Sequence, residues 1–176
     1  MTEGDSFRTS LSTTFAVPAG ASSISFDYAN LQFDTTDTTF INDAFEVALL
    51  DSEGRCSLVT PFTIGRDAFS TSQKRLPAAF GPEVTVNGTN VSLDISDLLV
   101  GGVATLVFRL TNDDTDTGTS VQIVDYTIPG FGFGPTNGNS KFYVVDAGRE
   151  SVFAYGTTGE TDGSFIQTST VHKCEE

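Results

Sequence analysis

The chain of 176 residues has no tryptophan and is poor in positive charge, histidine, cysteine and methionine. Nine lysine and arginine residues stand against 23 aspartate and glutamate residues, which gives a formal charge of −14. Nucleic acids and anionic membrane surfaces are bound through clustered basic side chains, so neither is an expected partner. The longest apolar run, 98–107, is interrupted by Gly101, Gly102 and Thr105. No window reaches the roughly 18 apolar residues of a membrane span.

The scarcity of histidine and cysteine also bears on catalysis. The one histidine, His172, lies in a polar segment near the C-terminus, where no neighbouring residue positions it as a base. The carboxylates fall mainly in threonine-rich turns rather than in apolar pockets that would raise their pKa values. Cys56 and Cys174 are too few for a disulfide framework and too distant in sequence for a metal knuckle, which leaves either one long-range disulfide or two unrelated thiols. We therefore expect a protein that is not an enzyme.

The sequence does contain 15 phenylalanines and a hydrophobic share of 38%, enough for one core. Residues 22–28 alternate with period two, which places Ile24, Phe26 and Tyr28 on one face of a strand. Further strands are predicted at 8–17, 44–50, 57–64, 83–86, 90–95, 104–110 and 120–128. Asn87-Gly88 predicts a hairpin with a two-residue type I′ turn, and only 67–80 favours a short helical turn. The predicted fold is all-β, an antiparallel β-sandwich of jelly-roll type with a C-terminal extension of two or three strands.

The composition changes after residue 128, which suggests four segments. Residues 1–128 form the predicted sandwich domain, 129–140 a linker rich in glycine and proline, 141–170 the strand extension and 171–176 a tail. A ribbon of two or three strands is marginally stable alone in water, so the extension is expected to pack on another surface.

Several short segments carry a family resemblance: EGDSF at 3–7, SISFDY at 23–28, FINDAFEVALLDSEG at 40–54, TLVFRLTNDD at 105–114 and VQIVDYTI at 121–128. Over about 3–128 this order resembles the jelly-roll modules of secreted bacterial surface proteins, which include galactose-binding-like and carbohydrate-binding-like domains. The resemblance implies a bacterial protein of extracellular or cell-surface location. Residues 141–165 resemble one repeat of a bacterial β-propeller, and a single repeat cannot close a propeller.

Oxygen ligands suited to Ca²⁺ occur in three groups. The resemblance implies a structural calcium site formed by Glu3, Asp5 and Asp125. The other groups are Asp34, Asp37, Asn42 and Asp43, and then Asn112, Asp114 and Asp116. The last group begins like an EF-hand loop, but Thr117 and Ile123 occupy the positions of the required glycine and glutamate. All three groups are equally explained by Asx turns, in which these side chains bind their own backbone.

Two further sets of residues are candidates for contact or modification. Partner binding is predicted for the apolar residues of the linker and extension: Phe131, Phe133, Phe142, Val144, Val152 and Phe153. Phe131 and Phe133 are equally expected to fold back onto the sandwich. Asn87 and Asn90 begin two consecutive N-glycosylation sequons, which overlap the predicted hairpin tip.

Two functions are compatible with these features. The first is a non-catalytic structural or adhesive protein of the cell surface, in which the extension adds strands to another copy and builds a filament or fibril. The second is a carbohydrate-binding module of a larger secreted protein, stabilised by Ca²⁺, in which loop aromatics contact a glycan. Expected partners are other copies of the chain or adjacent domains, with glycans as the alternative.

Overall fold

The computed structural model describes residues 1, 8–33, 42–111 and 118–128, together with the backbone of strands at 142–146, 151–155 and 161–162. Every regular element in these ranges is a β-strand. In chain order the strands are β1 (Arg8–Ala16), β2 (Ser23–Gln32), β3 (Ala44–Leu50), β4 (Ala68–Gln73), β5 (Ala79–Phe80), β6 (Val84–Asn87), β7 (Asn90–Asp94), β8 (Val103–Thr111), β9 (Ser120–Thr127), β10 (Phe142–Asp146), β11 (Ser151–Tyr155) and β12 (Thr161–Asp162). These ranges hold no helix of the length and apolarity that a membrane crossing requires.

Nine of the strands form two antiparallel sheets. The first has five strands in the order β1-β8-β3-β4-β5, and the second has four in the order β6-β7-β2-β9. Most neighbours in these sheets are distant in sequence, as β1 pairs with β8 and β2 with both β7 and β9. The all-β antiparallel sandwich predicted from the sequence is confirmed, while its jelly-roll type stays a prediction.

The core lies between the inner faces of the two sheets. Phe45, Val47 and Leu49 of β3 meet Ile24 and Phe26 of β2 in one buried cluster. The ring of Phe26 packs edge-on against that of Phe108 in β8, with 5.1 Å between centroids. Such aromatic pairs add about 0.5–1.5 kcal/mol to the gain from burial. The period-two pattern of β2 thus faces the core as its sequence predicts.

The predictions for residues 57–80 were wrong. Residues 57–64 form no strand and contain a single bridge residue, Ser57, opposite Leu50. The predicted helical turn at 67–80 is instead the β4–β5 hairpin. In that hairpin Phe69 enters the core, and its backbone oxygen accepts a hydrogen bond from the amide of Gly81. Burial and pairing with β3 therefore prevailed over a local composition of alanine, lysine and glutamine that favours helix.

The predicted hairpin at the sequons is confirmed, but its turn is shifted by one residue. Asn87 pairs with Asn90, so the loop residues are Gly88 and Thr89 rather than Asn87 and Gly88. Gly88 has φ +64° and Thr89 does not share this left-handed conformation. Glycine with positive φ at the first loop position is typical of a type II′ turn, which corrects the predicted type I′.

The remaining three strands form a third antiparallel sheet in the order β10-β11-β12. Phe142 pairs with Tyr155 and Val144 with Phe153. The predicted strand extension is thus present as a sheet of its own, and β10 is one of its edge strands.

Candidate functional site

The outer face of the four-stranded sheet is a continuous polar surface. Residues facing the core alternate with polar residues in each strand, and the register aligns the polar positions side by side. The residues on this polar face are Ser23, Ser25, Asp27, Thr85, Asn87, Asn90, Ser92, Asp94, Asp125 and Thr127. None of these residues is aromatic, so the described part of this face offers no ring on which a sugar could stack.

Two carboxylates stand directly opposite each other on this polar face. Asp27 of β2 pairs with Asp125 of β9. Asn90, on the other neighbouring strand, donates a hydrogen bond from Nδ2 to Oδ2 of Asp27 at 3.0 Å. Like charges at directly opposed positions repel each other, so this pair lowers the stability of the sheet.

The outer face of the five-stranded sheet is covered over β3, β4 and β8. The connection between β3 and β4 crosses it, and Phe62 packs there against Ala48, Leu50 and Ala68. This second apolar cluster explains why β3 is buried along its whole length. The outward residues of β1, in contrast, are exposed.

A cluster of charged side chains lies beside Phe62 under the same connection. The guanidinium of Arg109, only 3% exposed, donates from Nη1 to Oδ2 of Asp67 at 2.8 Å and from Nη2 to Oδ1 at 2.5 Å. Glu46 is the residue opposite Arg109 in the register, and its Oε2 lies 3.7 Å from Nε. Arg66 approaches the other oxygen of Glu46 at 3.8 Å. Two carboxylates and two guanidiniums thus balance in charge and join the connection to the sheet.

The protonation state of Asp67 follows from these contacts. Burial raises the pKa of Asp67, but the hydrogen bonds and the positive charge of Arg109 outweigh burial, so that its pKa lies below the ordinary value. Asp67 is therefore ionised at neutral pH and accepts hydrogen bonds there. The geometry suits a structural ion pair, which holds residues 51–67 on the sheet, rather than a general acid.

Sequence reasoning missed this cluster, although a signal was present. Glu46 and Arg109 are single charged residues within otherwise apolar strands, AFEVALL and TLVFRLT. A charged residue in such a run is buried with a partner or is placed on the outward face. Sequence alone does not reveal that the partner of Arg109 is Asp67, 42 residues earlier.

The predicted metal ligands are only partly within the described residues. Glu3, Asp5, Asp34, Asp37, Asn112, Asp114 and Asp116 lie outside them. Asp125 is on the polar face and exposed. Asp43 is buried, and Thr119 donates its hydroxyl hydrogen bond to Oδ2 of Asp43. Asn42 precedes it and is half-buried. No group of three or more histidine, cysteine, aspartate or glutamate side chains suited to a metal occurs in the part of the chain that the structure describes.

The residues predicted for partner contact or modification also lie partly within and partly outside the described residues. Phe131 and Phe133 lie outside the described residues, as do Cys174 and His172, while Cys56 is half-buried. In the third sheet the register places positions 142, 144 and 153 on one face and position 152 on the other. Asn87 is exposed at the hairpin, whereas Asn90 is half-buried and bound to Asp27.

Tyr28 and Tyr126 are the tyrosines of β2 and β9. Both pack against the core. The ring of Tyr28 lies 5.5 Å from that of Phe45, and the ring of Tyr126 lies 6.5 Å from that of Phe108, measured between centroids.

Comparisons of this chain with protein-family models, with curated proteins and with solved structures found no match.

Proposed function

We propose that this chain is a non-catalytic structural or adhesive module of the cell surface, which associates with other copies through its C-terminal strands. The observation that carries the proposal is the separate sheet β10-β11-β12. It is not hydrogen-bonded into either sheet of the sandwich, and its edge strand β10 presents backbone groups for pairing.

The composition of these strands supports the same function. The β10 strand reads FYVVD and β11 reads SVFAY, so they contain one charged residue, Asp146, in a chain of net charge −14. Because β12 has only two residues, this sheet is close to an isolated two-stranded hairpin, which is marginally stable in water and gains stability when its apolar surface packs against another element. Contact between a strand of one copy and a sheet of the next is heterologous, and when the rotation between copies does not close a ring, such contacts propagate into a chain of modules or a filament.

The charged cluster fits a structural role. Both carboxylates of the cluster face guanidiniums, and the pKa of Asp67 is lowered rather than raised towards neutrality. The cluster anchors the connection between β3 and β4 to the sheet and stiffens the sandwich. Such stiffness suits a module that bears force or keeps its neighbours at a fixed distance.

The experiment is multi-angle light scattering on the full chain over a wide range of protein concentration, with negative-stain imaging of the same samples. We expect a molar mass that rises with concentration. Val144→Asp places a charge in β10 and is expected to keep the chain monomeric, whereas the matched control Val144→Thr retains a β-branched uncharged residue and associates. A mass of one chain at all concentrations contradicts the proposal.

The alternative is a carbohydrate-binding module stabilised by Ca²⁺. The opposed carboxylates of Asp27 and Asp125 favour its calcium component, because a divalent cation would relieve their repulsion. Thermal unfolding in excess CaCl₂ and in EDTA tests it, since a bound cation raises the melting temperature. An unchanged melting temperature contradicts this alternative.

A further inference from the structure

We infer that β1 is the edge of the sandwich that accepts a strand, and that the strand it accepts is β10 of a second copy of this chain. This inference rests on the proposed self-association and names the surface that performs it. It follows from a comparison of the four edge strands of the sandwich.

Three of these edges are poor acceptors. The β5 strand has two residues and β6 has four, which gives few hydrogen bonds to a partner. On β9 the register shifts at Val124, which forms a bulge, and Met1 already exchanges backbone hydrogen bonds with Val121. Asp125 adds a negative charge to the same strand. Short edges, bulges and charges are the means by which proteins block edge pairing.

The β1 edge is long and has no bulge, and its one charged residue is Arg8 at its start. It pairs with β8 over nine consecutive residues without a register shift, from Arg8 opposite Thr111 to Ala16 opposite Val103. It contains no acidic residue, although the chain has 23. Its exposed residues after Arg8 are serine, threonine and alanine, which carry no charge and no bulky side chain along the edge.

The direction of the β1 backbone groups follows from the residue that continues the strand. The amide of Val17 donates to the backbone oxygen of Gly102, towards β8. Because backbone groups alternate along a strand, the N–H groups at positions 9, 11, 13 and 15 also face β8. Those of Ser10, Ser12, Thr14 and Ala16 therefore point outward from the edge, where a further strand would accept them.

Two observations identify β10 as the occupant. Within the same chain, Cα atoms of β10 come within 8 Å of Cα atoms of β1, although the two strands are not hydrogen-bonded, so β10 already lies beside the kind of edge that it would pair with in a second copy. Moreover, β10 is itself an edge strand, so its union with β1 would turn a sheet of five strands and one of three into a continuous sheet. Beside the end of β1 lie exposed Leu99, Val100 and Val103, which suit an apolar strand such as FYVVD.

The length of the connection permits exchange between copies. Residues 129–141 separate Ile128 from β10 and span at most about 45 Å when extended. The same β1–β10 contact can therefore form within one chain or between two, which is the condition for strand exchange between identical protomers.

Proline substitution tests the acceptor edge, because proline lacks the N–H group. In the full chain, Ser12→Pro removes one outward N–H and spares the bonds between β1 and β8. We expect it to abolish the rise of molar mass with concentration and to leave cooperative unfolding intact. The control Ser12→Ala keeps the N–H group and is expected to associate like the parent chain. If Ser12→Pro does not fold, Thr14→Pro provides the same test one outward position along.

The possible results separate the two proposals. If the parent chain and Ser12→Pro associate equally, β1 is not the acceptor edge, although the chain still associates with itself. If Ser12→Ala and Ser12→Pro lose association to the same extent, the contact depends on the serine side chain, and backbone pairing is overturned. A monomeric parent chain overturns the second copy as occupant; amide exchange at Ser10, Ser12 and Thr14 then shows whether the chain's own β10 protects the edge. Fast exchange there overturns β1 as an acceptor altogether.

Discussion

Arg109 and Asp67 form a two-point ion pair, with the guanidinium nitrogens 2.8 and 2.5 Å from the two carboxylate oxygens. The pair links the C-terminal half of β8 to the residue that precedes β4, on the outer face of the sheet. Because Arg109 is almost completely buried, its charge depends on this partner and on Glu46.

Asp67→Asn is expected to destabilise the fold. Removal of one partner of a buried ion pair costs about 3–5 kcal/mol, and the 39% exposure of the Asp67 side chain reduces this to about 2 kcal/mol. Urea unfolding followed by fluorescence or circular dichroism measures the change. Asp97→Asn, at an exposed position, is the control and should change stability by less than about 0.5 kcal/mol. Equal effects of the two substitutions would show that Arg109 does not need Asp67.

The cost of Asp67→Asn is expected to depend on pH. The pKa of Asp67 in the folded state is below its value in the unfolded chain, so its ionised form stabilises the fold above the unfolded pKa of 3.8. This contribution is lost as the pH falls through the folded pKa. The difference in unfolding free energy between parent and Asp67→Asn should therefore be full at neutral pH and shrink below about pH 4. A difference that stays constant to pH 2 would refute this linkage.

Asp125→Asn is expected to stabilise the sandwich. It removes one of two like charges that face each other across β2 and β9 and keeps the size of the side chain, with a gain of about 0.2–1 kcal/mol. The gain should decline at high salt, which screens the repulsion in the parent chain. Denaturant midpoints at low and high NaCl check it, with Asp97→Asn as the control. A loss of stability that appears only in CaCl₂ would favour a cation held by Asp125.

Gly81→Ala is expected to destabilise the hairpin region. A Cβ at position 81 would lie 2.4 Å from the backbone oxygen of Thr60, which cannot move without shifting the connection over the sheet. Overpacking of this kind costs about 1–3 kcal/mol. The neighbouring exposed Pro82→Ala is the control for thermal unfolding. If both variants melt alike, residues 58–62 are less tightly held than their contacts indicate.

Only Asn87 of the two sequon asparagines is expected to receive a glycan in a glycosylating host. Asn87 is exposed at the hairpin, whereas the side-chain amide of Asn90 donates its hydrogen bond to Asp27. Mass spectrometry of the secreted chain checks this, since Asn87→Gln should remove the added mass and Asn90→Gln should leave it. A glycan attached to Asn90 would contradict the arrangement.

Much of the fold was predictable because a strand with one buried face carries its own pattern. The alternation in β2 and the turn residues near Gly88 act within a few positions, and both led to correct elements. The prediction failed at 57–80, where no such pattern exists. There Phe69 and Ala68 are buried on opposite sides of β4 by residues far away in sequence.

The sequence by itself determined the class of fold, seven of the nine strands of the sandwich and the separation of the last strands from it, since these depend on local periodicity, turn chemistry and composition. The tertiary structure alone decided which strands became edges and which carboxylates met a partner. Asp67 reaches Arg109, Asp27 faces Asp125, and β1 becomes an edge strand because strand pairing joins positions that are distant in the chain. Such pairings depend on the packing of two whole sheets, and no short segment of the sequence encodes them.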